Sequence, residues 1–352
     1  MNTRKFLVMT LGLLLAGGVK AEVEINEATF PDAGFRSALS NMEEGKDGIL
    51  TDEEIDRIGA LTLTSRQHWE IHSLQGIEHL RNLTVLQFTL SQLNSLDLTK
   101  NKALRFVDCG FSTIEELNLS GLQELETLIC WSTALRSVDV SGCTALRYLD
   151  CKGGQLTELD LSQATAIETL ICTNNRLERL NVSGCAALET LCCDMNRLQT
   201  IDLTSCAALR DADCTMNRLT TLDLAGNTRL ERLVCCRNQI TGEGMSALVN
   251  SLPVVPKGEL YVVDLSEDDE RNYCTKGQAD VARSKNWTVY QMGVEGLSAF
   301  EGFTAEDPSG IETVSSGRET TDSGVCYDLN GRRLSGTASG IYIRGNRKYI
   351  EH

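Results

Sequence analysis

Histidine, proline and aromatic residues are scarce in this chain. Four His and four Pro occur among 352 residues, poor material for a His-based metal enzyme. Phe, Trp and Tyr make up 5%, so any local gathering of them is informative. Positive charge is also short: 33 Lys and Arg face 49 Asp and Glu, a net charge of −16. That balance argues against nucleic acid or an anionic membrane surface as a partner and suits a basic one. No GxSxG elbow, HExxH pair or phosphate loop is present, so no familiar enzyme class is indicated. Beyond the first twenty or so residues, no apolar run is long enough to span a bilayer.

Cysteine is plentiful, with 14 residues, and its placement is regular. The stretch from Leu188 to Ala208, LETLCCDMNRLQTIDLTSCAA, recurs when shifted by 21 residues. Its triplet Leu188, Leu191, Cys193 has counterparts at Leu209, Ala212, Cys214 and at Leu230, Leu233, Cys235. Upstream the triplet is Ile167, Leu170, Cys172, then Leu146, Leu149, Cys151, then Leu125, Leu128, Cys130, then Leu104, Val107, Cys109, beginning at Leu83, Leu86, Phe88. Leucine and cysteine two apart, alternating with outward residues, read as a short strand with one buried face. One such strand cannot bury that face alone, but stacked copies can. Eight units spaced about 4.8 Å apart make a rod roughly 35–40 Å long. A second apolar triplet, such as Leu198, Ile201, Leu203, supplies the opposite wall.

Seven of the cysteines hold one repeat position, where they read as small buried hydrophobes. Side by side on parallel rungs they point the same way and do not satisfy disulfide torsions, so reduced thiols are expected. Three residues after the ladder cysteine stand Asn175, Asn196, Asn217 and Asn238, whose buried amides can satisfy turn backbone groups. Earlier units carry Ser91, Ser112, Thr133 and Gly154 there, so differently bonded turns are expected in that half. The residues Asp97, Asn118, Asp139, Asp160, Asn181, Asp202 and Asp223 precede Ser, Thr or Ala by two. They are expected to accept bonds from local turn amides, with cation binding as the alternative.

A fixed period of 20 to 29 residues around LxxLxL is the signature of a leucine-rich repeat. The form LxxLxCxxNxLxxLDLSxCxAL resembles the cysteine-containing repeats of surface and secreted proteins from Gram-negative anaerobes, and distantly the internalins. The resemblance covers about two thirds of the chain. It implies an α/β solenoid with a parallel β ladder, and it does not specify a ligand.

Residues 1–21 read as a secretory leader, with Arg4 and Lys5, an apolar stretch from Phe6 to Ala16, and small residues at Val19 and Ala21. Loss of Arg4, Lys5 and Lys20 with the leader takes the charge from −16 to −19. Residues 22–82 read as a helical N-terminal cap and atypical first repeat, with Phe35, Ala38, Leu39 and Met42 at helical spacing. Within it, Glu43 to Glu54 resembles a calcium loop in which Asp47, Thr51 and Glu54 supply oxygen ligands, although Glu43 and Gly45 depart from the pattern. The alternative is a capping box between Thr51 and Glu54. Calcium is thus the one ion suggested, and no other cofactor is. His68 and His72, four apart, read as part of a partly exposed loop or helix rather than a metal pair.

Residues 83–241 are the repeats. Residues 242–293 read as a helix–strand–helix–strand C-terminal cap, residues 294–323 as a linker, and the acidic run Glu267 to Glu270 as a solvated loop. Residues 324–352, with YDLNGRR and GIYI, resemble the C-terminal sorting signal of the type IX secretion pathway, with an accessory β hairpin as the alternative.

Outward strand positions line the concave face. Phe106, Trp131 and Tyr148 hold such positions on three consecutive strands beside Ile129 and Phe111. Clustered aromatics on a rigid face read as a protein-recognition patch, with Asp108, Asp150 and Lys152 as a polar rim. The alternative is packing beneath a flanking segment. The expectation is an exported, monomeric, non-enzymatic binding protein of adhesin type. Its ligand is a protein, host-derived or from a neighbouring cell. A surface-glycan module using Trp131 and Tyr148 is the second reading. An acid pair drawn from Asp108, Asp150, Asp211 and Asp213 is the enzymatic reading, without an enclosed pocket to support it.

Overall fold

A computed structural model describes residues 22–304 except 65, 267–269 and 295. Beyond these it describes only the strands Ile311–Glu312, Cys326–Tyr327, Gly340–Arg344 and Arg347–Glu351. The expected leader, and most of the linker and sorting segment, lie outside the described residues.

The alternation of inward Leu and Cys with outward residues produces eight strands of three or four residues, from Val85–Phe88 to Arg232–Val234. All pair parallel, and each residue faces the one 21 positions later, as Thr169 faces Thr190 and Leu170 faces Leu191. The inward column Leu86, Val107, Leu128, Leu149, Leu170, Leu191, Ala212 and Leu233 is buried throughout, as are the ladder cysteines. The second triplet builds the opposite wall, where Ser95–Asp97 pairs with Glu116–Asn118 and Glu158–Asp160 with Arg179–Asn181. The result is a leucine-rich-repeat solenoid.

The turns follow from side-chain bonding. All seven Asp and Asn residues of the LDL-type triplets accept from the backbone N–H two residues on, as in Thr99 to Asp97 at 2.9 Å and Ser183 to Asn181 at 3.1 Å. Each of the four Asn ladder amides donates to the ladder cysteine carbonyls of its own and the preceding rung and accepts a backbone N–H of the preceding turn. In the earlier half Ser112 and Thr133 donate only to the carbonyls of Cys109 and Cys130. Those turns are differently bonded, as their residue types require.

The sheet is longer than the regular repeat. It has twelve strands, with Ala60–Leu63 before the repeats and Gly258–Asp264, Trp287–Gly293 and Gly296–Ala299 after them. Leu61 and Leu63 pair with Leu86 and Phe88, adding a first rung at a spacing the 21-residue period does not contain. Only Gly296–Ala299 pairs antiparallel in this sheet. Helix α1 (Ala33–Ser40) buries Phe35, Ala38 and Leu39, and helix α2 (Asp52–Arg57) buries Ile55. Asp32 ties this cap to the chain beyond: it accepts from Phe35 N at 2.8 Å and from His72 N at 2.9 Å. At the other end α3 (Gly242–Ser251) and α4 (Lys276–Ser284) flank the final parallel strands. The asparagine ladder continues into this cap through Asn272, which accepts from Ile240 N and donates to the Cys235 and Val262 carbonyls. Glu270 is not the solvated residue expected. It accepts backbone N–H groups of Arg237, Asp264 and Asn272, pinning the cap loop to the last repeat, while burial raises its carboxyl above the ordinary range. The strands Gly340–Arg344 and Arg347–Glu351 pair antiparallel on either side of Gly345–Asn346.

Candidate functional site

Each short strand turns its first and third residues outward, and the residue two further on continues that side. Stacking lines these residues up in three columns across the concave face. Phe106, Thr127 and Tyr148 share the first column and Asp108, Ile129 and Asp150 the second, by direct strand register. Gly110, Trp131 and Lys152 follow in the third.

Gly110 makes room for Trp131. A Cβ at Gly110 would lie 2.7 Å from the indole Nε1 and 2.9 Å from Cδ1. The indole is half-buried and meets the Phe111 ring edge-on, with centroids 4.0 Å apart and planes at 62°. The Lys152 ammonium stands 5.1 Å from the Trp131 centroid and 3.0 Å from Asp150 Oδ2. A cation so placed is attracted both by the ring quadrupole and by the carboxylate. Phe111 remains 50% exposed.

Asp108 and Asp150 do not form a solvated rim as expected; they are 9% and 5% exposed. Asp108 accepts from Gly110 N and Gln87 Nε2, both at 3.0 Å. Asp150 accepts from Lys152 N at 3.2 Å as well as from its ammonium. A carboxylate two residues before an N–H is drawn inward to the turn, so these acids brace the floor beneath the aromatics. Phe106, Ile129 and Tyr148 are half-buried. Thr127 separates Phe106 from Tyr148, and no ring contact among the described residues joins either to Trp131. Burial and the nearby Asp150 raise the Tyr148 phenol.

One feature of the face was not read from the pattern. The residue after each third-column position has a left-handed backbone. Leu90, Phe111, Ser132, Asn174, Met195, Met216 and Arg237 all have φ between 52° and 57°, and Gly153 has 68°. Gly153 and Asn174 are the residue types at home there, and they were the available signal. Leu90 and Phe111, on adjacent rungs, and Met195, four rungs past Phe111, are both left-handed and exposed.

Farther along, the columns turn acidic. Asp194 is half-buried and accepts from the Thr173 hydroxyl at 2.6 Å. Burial raises its carboxyl, and Asp213 adds to the rise. Arg232 pairs with Asp211 at 2.8 Å and lies 5.2 Å from the Tyr261 centroid, and Tyr261 stacks on Tyr290 at 5.0 Å. Cys192 lies among these carboxylates, its thiol pushed up to about 11, first by burial.

In the N-terminal cap, Thr51 and Glu54 come together as a capping box. Thr51 N and Oγ1 donate to Glu54 Oε2 at 2.9 and 2.8 Å. Asp47 accepts from Ile49 N at 3.1 Å, around Gly48 at φ 84°. Among the described residues no group of three or more His, Cys, Asp and Glu is gathered as for a metal ion. His68 lines a cleft of about 210 Å³ with α1 and Ala60–Leu63. His79 lies edge-on to Phe30. Among the described residues no helix is long and apolar enough to cross a membrane.

No protein-family model and no curated protein matches the sequence. Solved structures do. The chain is similar to the functional domain of InlJ from Listeria monocytogenes, which includes a cysteine ladder: 25% identity over 63% of this chain and 58% of that one, TM-score 0.42. It is similar to the internalin InlF of the same organism at 19% identity, 76% and 86% coverage and TM-score 0.46. It is also similar to YopM, a leucine-rich effector protein from Yersinia pestis, at 20% identity, 54% and 53% coverage and TM-score 0.43. The chain thus spans somewhat over half of the InlJ domain and about half of YopM.

Proposed function

We propose that this chain is a non-enzymatic, exported binding protein of adhesin type that holds a protein ligand on its concave face. It works as a secreted or outer-membrane surface protein of a Gram-negative bacterium. The reading rests on one observation above the rest: the Phe111–Trp131 pair, an aromatic contact at 4.0 Å left half-open on a rigid parallel sheet. Large rigid rings on a fixed backbone anchor a partner at little entropic cost. The Lys152 ammonium and the Phe111 ring both lie against the indole. That leaves little of it free for a stacked sugar and favours protein over glycan. An open sheet face excludes little water, which weighs against catalysis.

The test is capture from host and bacterial extracellular fractions with wild type and Trp131→Ala side by side. A protein held by the wild type and lost by the variant, with soluble sugars failing to compete, supports the reading. Equal capture by both proteins contradicts it.

A further inference from the structure

We propose that the concave face takes an extended protein segment that presents an apolar side chain to Phe111 and Trp131 and, four residues along, a lysine or arginine to Asp194 and Asp213. The inference rests on the protein-binding reading and names the partner's chemistry.

Geometry supplies the spacing. Trp131, Lys152, Thr173 and Asp194 occupy the third column on successive rungs. Three rungs of a parallel ladder span about 14 Å, and four residues of extended chain span about 13 Å. Residues four apart in an extended chain also face the same side. One segment lying along the rod therefore meets both ends of this column with side chains i and i+4.

Charge supplies the sign. Two cations of the face are already matched, Lys152 to Asp150 and Arg232 to Asp211, with Asp213 adding a weaker pull on Arg232. Asp194 holds a hydroxyl and Asp213 a backbone N–H at 3.0 Å. Neither forms an ion pair among the described residues. Two neighbouring half-buried carboxylates repel each other and gain from a cation brought by a partner.

The test is a random twelve-residue peptide library displayed on phage and panned on the full chain. The expected enrichment is an apolar residue followed four positions later by Lys or Arg. A synthetic peptide of that pattern is then titrated against wild type, W131A and the D194N/D213N pair, with thermal melts confirming the fold. D213N alone serves if the pair disturbs folding. Each change is expected to weaken binding about tenfold, and the Asp changes to remove most of its salt sensitivity. Peptides that lack the basic residue, no enrichment at all, or indifference to the Asp changes overturn the inference. If W131A still weakens binding in that case, the protein-binding face stands without it. If W131A is also without effect, both fall.

Discussion

Asn196 saturates four backbone groups. Its amide donates to the carbonyls of Cys172, Cys193 and Asp194 at 3.0, 3.1 and 3.1 Å and accepts from Leu177 N at 2.9 Å. Asn196→Ala leaves several of these buried and unpaired, and is expected to destabilise by about 2–4 kcal/mol. Thr133 makes a single bond at 2.8 Å, so Thr133→Ala should lose about 1 kcal/mol. Urea denaturation separates the two, and equal losses would contradict the ladder's role. Met195→Asn, at φ 56°, is expected to raise stability by about 0.5–1 kcal/mol, because Asn tolerates the left-handed region that a long side chain does not. The repeat made the Asn ladder legible, since period and residue type coincide. Asn272 was hidden because it lies outside the 21-residue period. Asp108 and Asp150 were misplaced because strand alternation gives a direction without saying which local N–H the carboxylate will meet.

At the scale of the element, each rung is a strand, an Asn or hydroxyl turn, and a back wall joined by an Asx turn. All thirteen cysteines whose state is described are free thiols, and burial pushes Cys151 up to about 12. A buried thiol that resists ionisation is a poor nucleophile. Cys143, Cys185 and Cys206 share a second position of the repeat, and there the thiol does a donor's work: Cys185 donates to the Leu161 carbonyl at 3.5 Å where Asn227 in a later unit donates to Leu203 at 2.9 Å. Iodoacetamide at pH 8 on native protein without reductant should label half-exposed Cys192 first among these thirteen and reach the ladder only after unfolding. Peptide mass spectrometry reads the order, and ladder cysteines recovered as disulfides would contradict the packing. The rungs were legible because 21-residue periodicity fixes inside and outside together. The first rung at Ala60–Leu63 and the closing strand Gly296–Ala299 were not, because a cap departs from the repeat to finish the sheet.

The described residues from 22 to 304 form a solenoid capped at both ends with one open face. Burial is continuous from Phe30 in the N-terminal cap to Phe300 beyond the last helix, so the repeats stand as one stiff sheet. Outside, rung-to-rung pairs such as Arg105 with Glu126 and Arg210 with Glu231 run along the exposed surface. Exposed ion pairs of this kind contribute little each, so the ladder and core carry the rigidity. That rigidity is what would give a modest aromatic cluster its value under the proposed reading, because Phe111 and Trp131 would be in place before a partner arrives. On the proposed reading, this cluster anchors a protein. The most direct test is the affinity of a captured partner for wild type and Trp131→Ala, with melting curves confirming an unchanged fold. A loss of about tenfold or more is predicted; unchanged affinity in a folded variant would contradict it.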